Sequence, residues 1–261
     1  MKIGIMGAMP EEISGIIEQL ETSRVSRISG RDYFEGTWRG VEVVVVFSRW
    51  GKVAASVTAT ILLQHFGVNG IFFIGVAGAA DPTLNLGDIV VATDLLQHDM
   101  DASAIPTLAR FEIPLLGRSR LSADGSWMSV ALTAANSFIE DDFESWIDKD
   151  LRNSFYIGIP KVVSGLIATG DRFIADAMFL RDLRQALPDL RCVEMEGAAV
   201  AQVCYEFAAP FAVVRIISDR ANHSAPVDFQ NFVARVASRM GLGIASRFNM
   251  SIAATPSGRP R

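Results

Sequence analysis

Short apolar runs alternate along the chain with longer mixed segments, a pattern that predicts strand and helix in turn. Residues 2–8 read as a buried strand, and Pro10 suits the first turn of a helix reaching about residue 20. Residues 33–38 and 41–47 form a hairpin joined at Arg39-Gly40. Within it, Val43-Val44-Val45-Val46 is apolar without alternation, as in a strand covered on both faces. Further strands are expected over 70–75, 88–93, 160–168, 190–194 and 211–217. Helices are expected over 53–65, 128–143, 197–207 and 228–248. This unbroken alternation predicts one α/β domain over 1–250 around a mixed central sheet, with 251–261 as a frayed C-terminal tail.

Residues 102–127 break the rhythm. They carry Pro106, Pro114, Gly117 and Gly125 with no clean period, which fits a long excursion over a site or a partner surface. Before it, Gln97-His98-Asp99-Met100-Asp101 reads as a solvated loop, since one histidine among acids is a poor ligand set for a metal. The acidic run Glu140-Asp141-Asp142 reads as a wet helix end.

Composition narrows the function classes. Half of the 261 residues are apolar, enough for a sizeable core, and 24 basic against 29 acidic residues leave no basic footprint for nucleic acid. No apolar run approaches the roughly 18 residues that cross a bilayer, and the N-terminus lacks the features of a secretory signal. Cys192 and Cys204 match neither a metal spacing nor a disulfide framework. The expectation is a cytoplasmic protein with no nucleic-acid or membrane partner.

The candidate chemistry lies in Val193-Glu194-Met195-Glu196-Gly197 and Arg215-Ile216-Ile217-Ser218-Asp219. Both place carboxylates where an apolar strand runs out, the edge at which open α/β sheets bind ligands. Two acids delivered separately to one rim suit an acid/base pair. Taken singly, each also fits a solvated loop charge or a helix cap, and Glu11 and Glu12 fit acids at a helix N-terminus. The run Gly75-Val76-Ala77-Gly78-Ala79-Ala80 is either a tight turn or a place where backbone comes close to a ligand. No Gly-x-Gly-x-x-Gly follows the first strand, which argues against a dinucleotide enzyme.

Those segments, with Met1-Lys2-Ile3-Gly4-Ile5-Met6-Gly7-Ala8-Met9-Pro10-Glu11-Glu12, Gly51-Lys52-Val53-Ala54-Ala55, Gly87-Asp88-Ile89-Val90, Ser164-Gly165-Leu166-Ile167 and Gly170-Asp171-Arg172-Phe173-Ile174, resemble the 5'-methylthioadenosine/S-adenosylhomocysteine nucleosidases. The likeness runs in order to about Phe248 and places the chain near the purine nucleoside phosphorylases. It implies a single three-layer α/β/α domain with a twisted mixed central sheet, nucleoside phosphorylase-like. It also implies a homodimer, no metal or organic cofactor, and hydrolysis of the N-glycosidic bond of an adenine nucleoside.

By the same resemblance Glu12 activates the water and Asp219 protonates purine N7, which requires an aspartic acid that keeps its proton near neutral pH. Glu196 binds the ribose hydroxyls and Met195 packs on the sugar. Phe173 and Ile174 form the adenine pocket, and Gly78 supplies a backbone contact. Met9 and Ser218 complete the binding set, while Trp50 and Phe229 line the pocket for the 5' substituent. An aspartate at 219 suits a 6-amino purine.

The chain departs from the family pattern in two places. Val76 stands where many members carry serine, and Trp50 stands where small or aliphatic residues are usual. An indole there would narrow the 5' pocket or stack on another 5' group; turned into the core or a dimer contact, it would do neither. Phe111-Glu112-Ile113-Pro114-Leu115-Leu116-Gly117 fits the loop that crosses between subunits. Three readings follow: hydrolysis of 5'-methylthioadenosine or S-adenosylhomocysteine, hydrolysis of another 5'-modified nucleoside such as 5'-deoxyadenosine or a futalosine-type compound, and nucleoside binding without catalysis.

Overall fold

Four consecutive valines show how the sheet is covered. Val43 and Val45 join Ile3, Ile5, Phe72 and Ile74 in one core, while Val44 and Val46 join Met6, Ile71 and Phe73 in another. Successive side chains of a strand point to opposite faces, so a run without polar residues needs a helical layer on each side. The structure, a computed structural model, describes residues 1–219 and 225–254.

The strands are β1 (Lys2–Gly7), β2 (Glu21–Ile28), β3 (Arg31–Trp38), β4 (Val41–Phe47), β5 (Gly70–Ala79), β6 (Ile89–Gln97), β7 (Leu121–Ser122), β8 (Val162–Thr169), β9 (Leu190–Glu194) and β10 (Phe211–Asp219). The helices are α1 (Pro10–Ile17), α2 (Lys52–Gln64), α3 (Gly125–Asp141), the short α4 (Phe143–Trp146) and α5 (Lys149–Ser154), α6 (Ala177–Ala186) and α7 (Gly197–Glu206). The last helix has two parts, α8 (Ala225–Phe232) and α9 (Ser238–Ala254), joined by a π-helical turn over Val233–Ala237. Helices α1, α3 and α9 pack together on one face, and α2 packs with α7 on the other.

All the strands belong to one mixed sheet, and half of it closes on itself. β5 runs parallel to both β1 and β10, and β10 pairs antiparallel with β6. β6 and β8, then β8 and β9, pair in parallel. The ring closes where β9 meets the end of β5 in antiparallel register, Gly78 opposite Val193 and Ala79 opposite Cys192. Beyond β1 the sheet continues as an open wing, β4-β3-β2.

This closure removes the tight turn, one of the two readings of residues 75–80. β5 stays extended to Ala79, and its small residues let two strands approach at once: Gly78 faces Asp219 of β10 as well as Val193 of β9. Strand β2 was not apparent from the pattern, because Glu21, Arg24 and Arg27 give it the charged character of a protected sheet edge.

Other boundaries move for local reasons. α3 begins at Gly125, three residues before the expected start, since Asp124 caps it by accepting from Ser126 N at 3.0 Å and Trp127 N at 2.9 Å. Its acidic end is tied down as well as wet, with Arg247 of α9 lying 3.0 Å from Asp141 and 2.7 Å from Asp142. The last helix starts at Ala225, and Ser251–Ala254 continue it; residues 255–261 of the expected tail lie outside the described residues. The expected solvated loop at 97–101 is also corrected: Gln97 and His98 are only 6% and 5% exposed. Residues 102–120 do form the irregular excursion that the pattern predicts, held by buried Phe111 and Ile113.

The layer of α3 and α9 offers a test of packing. A methyl group at Gly243 would overlap the ring of Phe138, which is fully buried. Gly243→Ala is therefore expected to destabilise the fold by about 2 kcal/mol, read by urea unfolding. An unchanged midpoint would show that α9 can slide away from α3.

Candidate active site

One cavity of about 240 Å³ opens at the end of β5, among the carboxyl ends of β1, β9 and β10. Every residue singled out from the sequence lines it: Met9, Glu12, Trp50, Gly78, Phe173, Ile174, Met195, Glu196, Ser218, Asp219 and Phe229. Ala8, Val76, Ala77, Arg172, Val193 and Glu194 line it too.

Glu12 is both a helix cap and a cavity residue. It stands at the third position of α1, and its Oε2 accepts from Met9 N at 3.0 Å and Ala8 N at 2.6 Å, the return half of a capping box. Glu11 beside it is exposed, as a plain N-terminal helix acid would be. The other carboxylate oxygen of Glu12 crosses to β5, where Oε1 accepts from Val76 N at 3.1 Å. That approach requires glycine next door, because a Cβ on Gly75 would lie 2.9 Å from Glu12 Oε1. Burial pushes the Glu12 carboxyl up to about 7, against the opposing pull of Arg215 and of the three amides.

Asp219 ends β10, where its register partner on β5 is Gly78. Glu12 is anchored at Val76 of the same strand, so the two acids hold on to β5 two residues apart, about 7 Å of extended chain. Ser218 Oγ donates to Asp219 Oδ2 at 2.9 Å.

The third acid, Glu196, sits at the N-cap of α7, and its Oε1 accepts from Gly51 N at 2.7 Å. Burial and then the neighbouring Glu194 push the Glu196 carboxyl up to about 8. Glu194 itself is turned inward. It accepts from Glu196 N at 3.0 Å, from Gly197 N at 2.8 Å and from the Thr169 hydroxyl, and pairs with Arg215 Nη2 at 2.8 Å. The Arg215 guanidinium is committed there: it lies 4.1 Å from the Phe73 ring centroid and donates to the carbonyls of Phe73 and Val214. The motif Val-Glu-Met-Glu therefore splits by partner: Glu194, at the cavity wall, is bound to Arg215, and Glu196 to the loop before α2. Strand alternation between 194 and 196 cannot separate them, since Glu196 has already left β9.

Aromatic groups frame the mouth. Phe173 meets Phe229 edge to face at 5.9 Å, which ties α8 to the loop after β8. Trp50 is 61% exposed and stands between two left-handed residues, Arg49 (φ +70°) and Gly51 (φ +89°). The loop is held on both sides of it, by Arg49 to the carbonyl of Gly30 and by Gly51 to Glu196. Among the described residues that line the cavity the one cation is Arg172, which lies 3.7 Å from Asp176 and over the ring of Phe179. No cluster of His, Cys, Asp and Glu that could hold a metal occurs among the described residues.

Comparison with known proteins shows likeness over the whole fold. Residues 2–247 match the Phosphorylase superfamily. The 5'-methylthioadenosine/S-adenosylhomocysteine nucleosidase of Shewanella denitrificans is 35% identical over 237 residues, 90% of this chain and 93% of that protein. The enzyme of that name from Neisseria meningitidis, solved with methylthio-immucillin-A, superposes with a TM-score of 0.84 at 28% identity, over 96% of this chain and 99% of the other. A futalosine hydrolase from Helicobacter pylori superposes with a TM-score of 0.79 at 31% identity, over 95% of this chain and 97% of that one. With ordered likeness along nearly the full length and the acids gathered at one strand end, this chain belongs to the 5'-methylthioadenosine/S-adenosylhomocysteine nucleosidase family of the phosphorylase superfamily.

Proposed function

We propose that this chain hydrolyses the N-glycosidic bond of 5'-methylthioadenosine, S-adenosylhomocysteine or both, releasing adenine and the 5'-thioribose product. The observation that carries the reading is the meeting of Glu12, Glu196 and Asp219 in one cavity at the end of β5. As the C1'–N9 bond breaks, its electron pair passes to the base and Asp219 delivers a proton to N7. The sugar becomes oxocarbenium-like, as in other glycoside cleavage, and the carboxylates favour that charge. Glu12 takes a proton from water as the oxygen bonds to C1'. Glu196 holds the ribose hydroxyls with Met195 against the sugar, while Phe173, Ile174 and Gly78 receive the base. A protein that only stored nucleosides would need neither a proton donor nor a water activator.

Water is favoured over phosphate by the charges present. A phosphate dianion needs free cations and donors. Here Glu12 occupies the amides of Ala8, Met9 and Val76, Arg215 is bound to Glu194, and Arg172 pairs with Asp176.

The 5' substituent is selected at Trp50 and Phe229, with Met9 beside them. The indole favours a small apolar group such as methylthio. The second reading, another 5'-modified nucleoside such as a futalosine-type compound, draws support from the same indole as a stacking surface and from the likeness to the futalosine hydrolase.

A homodimer is part of the proposal. Trp50, Val53 and Val57 expose apolar surface beside the cavity, and Ile105 and Leu115 do so on the excursion. The compartment proposed is the cytoplasm, where buried free cysteines such as Cys192 and Cys204 persist. No helix among the described residues is long and apolar enough to cross a membrane.

Release of free base from each candidate nucleoside, with and without phosphate, tests the central reading. Release that depends on phosphate would overturn it. Asp219→Asn and Glu12→Gln are each expected to lower kcat by about 10² to 10⁴ with the fold intact by circular dichroism. Because Glu12 must be ionised to accept a proton, kcat/KM of the unaltered enzyme should fall as pH drops through about 7. Full activity at pH 5 would remove Glu12 from that role. Trp50→Ala is expected to raise kcat/KM for S-adenosylhomocysteine relative to methylthioadenosine by about tenfold; an unchanged ranking takes Trp50 out of substrate selection. Sedimentation equilibrium at micromolar concentration should give the mass of a dimer, and a monomer there would end that part of the proposal.

A further inference from the structure

Beside the cavity, one cation gathers loops from opposite parts of the sheet without reaching the substrate space. Lys52 opens α2, and its side chain is only 17% exposed. Its Nζ donates to Asp99 Oδ1 at 2.5 Å and to Gln97 Oε1 at 3.2 Å, at and just past the end of β6. Its backbone N–H donates to Asp171 Oδ1 at 2.8 Å, in the loop after β8, and Asp171 Oδ2 lies 4.0 Å from Nζ. The Asp171 N–H in turn donates to Asp99 Oδ2 at 2.9 Å, and Gln97 Nε2 donates to Gln202 of α7 at 2.8 Å. Two carboxylates thus share one turn with a single ammonium between them, and without it their like charges would drive the loops apart. Buried His98 packs beneath the same turn, where a Cβ on Gly170 would overlap its ring.

The residue before Lys52 is the one bonded to a cavity acid. Gly51 adopts φ +89°, and a Cβ there would lie 3.0 Å from Asp171 Oδ1. Its N–H therefore points where this ring of bonds directs it, at Glu196 Oε1. Trp50 hangs from the same backbone turn.

We propose that Lys52 is a positioning residue: by locking the start of α2 to Asp99 and Asp171, it holds the Gly51 amide on Glu196 and Trp50 at the cavity mouth. An ion pair this close to the surface adds little to global stability. Its effect is carried by geometry, since small misplacements of binding groups are costly to turnover. The kinetic consequence rests on the nucleosidase reading; the structural consequence does not.

The test uses the full chain with Lys52→Met, which keeps the stem and removes the charge, and Lys52→Arg, which restores it. Asp99→Asn breaks the ring from the other side and serves if Lys52→Met folds poorly. Hydrogen exchange of the segment 48–52 should quicken at least about tenfold in Lys52→Met and stay close to the unaltered rate in Lys52→Arg. With methylthioadenosine, Lys52→Met should lower kcat/KM about tenfold, but less than about threefold when introduced into Glu196→Gln, because the two act on one contact. Equal losses in both backgrounds, or unchanged exchange at 48–52, would overturn the proposal. If the unaltered protein releases no base from any nucleoside, the functional reading has failed, and the exchange experiment alone decides the role of Lys52.

Discussion

The ion pair between Glu194 and Arg215 is the constraint on which the site is built. Both side chains are almost completely buried, at the seam where β9 and β10 close against β5. Two isolated charges there would be strongly disfavoured by desolvation. They are held by several partners at once: the guanidinium reaches Glu194, two carbonyls and the face of Phe73, while the carboxylate takes two amides at the start of α7 and the Thr169 hydroxyl. Removing either partner would strand the other charge in the core. The pair therefore sets the position of the α7 N-terminus, and through it that of Glu196.

The same arrangement controls protons. Arg215 offsets the charge of Glu194 and reaches Glu12 and Glu196 only as a weaker opposing field, so burial prevails at both and their carboxyls stay well above the ordinary range. Carboxyls raised in this way can hold protons near neutral pH.

Much of the fold could be read in advance because its signals are local. The both-face strand at Val43 to Val46, the proline that opens α1 and the end of β9 at Glu194 are set by residues within a few positions of each other. The acids at the ends of β9 and β10 were legible for the same reason, since an apolar run that stops at a carboxylate marks a strand end. Strand β2 was not, because an edge strand with charged residues has no apolar face to show. The buried turn at Gln97 and His98 was hidden as well: its polar composition is that of a loop, and Gln97 finds its partners only in Lys52 and Gln202, which arrive from α2 and α7.

By itself, then, the sequence determined the order of the elements, the faces each must bury and which acids end up at strand termini. Tertiary structure alone decided that the sheet closes on itself, that Glu194 is bound to Arg215 while Glu196 takes the Gly51 amide, and that Trp50 stands exposed at the cavity mouth. The difference is physical. Periodicity and capping act over a few residues, whereas closure, burial and electric field depend on which distant strands become neighbours, and Glu12, Glu196 and Asp219 acquire their common surroundings only when β1, β5, β9 and β10 converge.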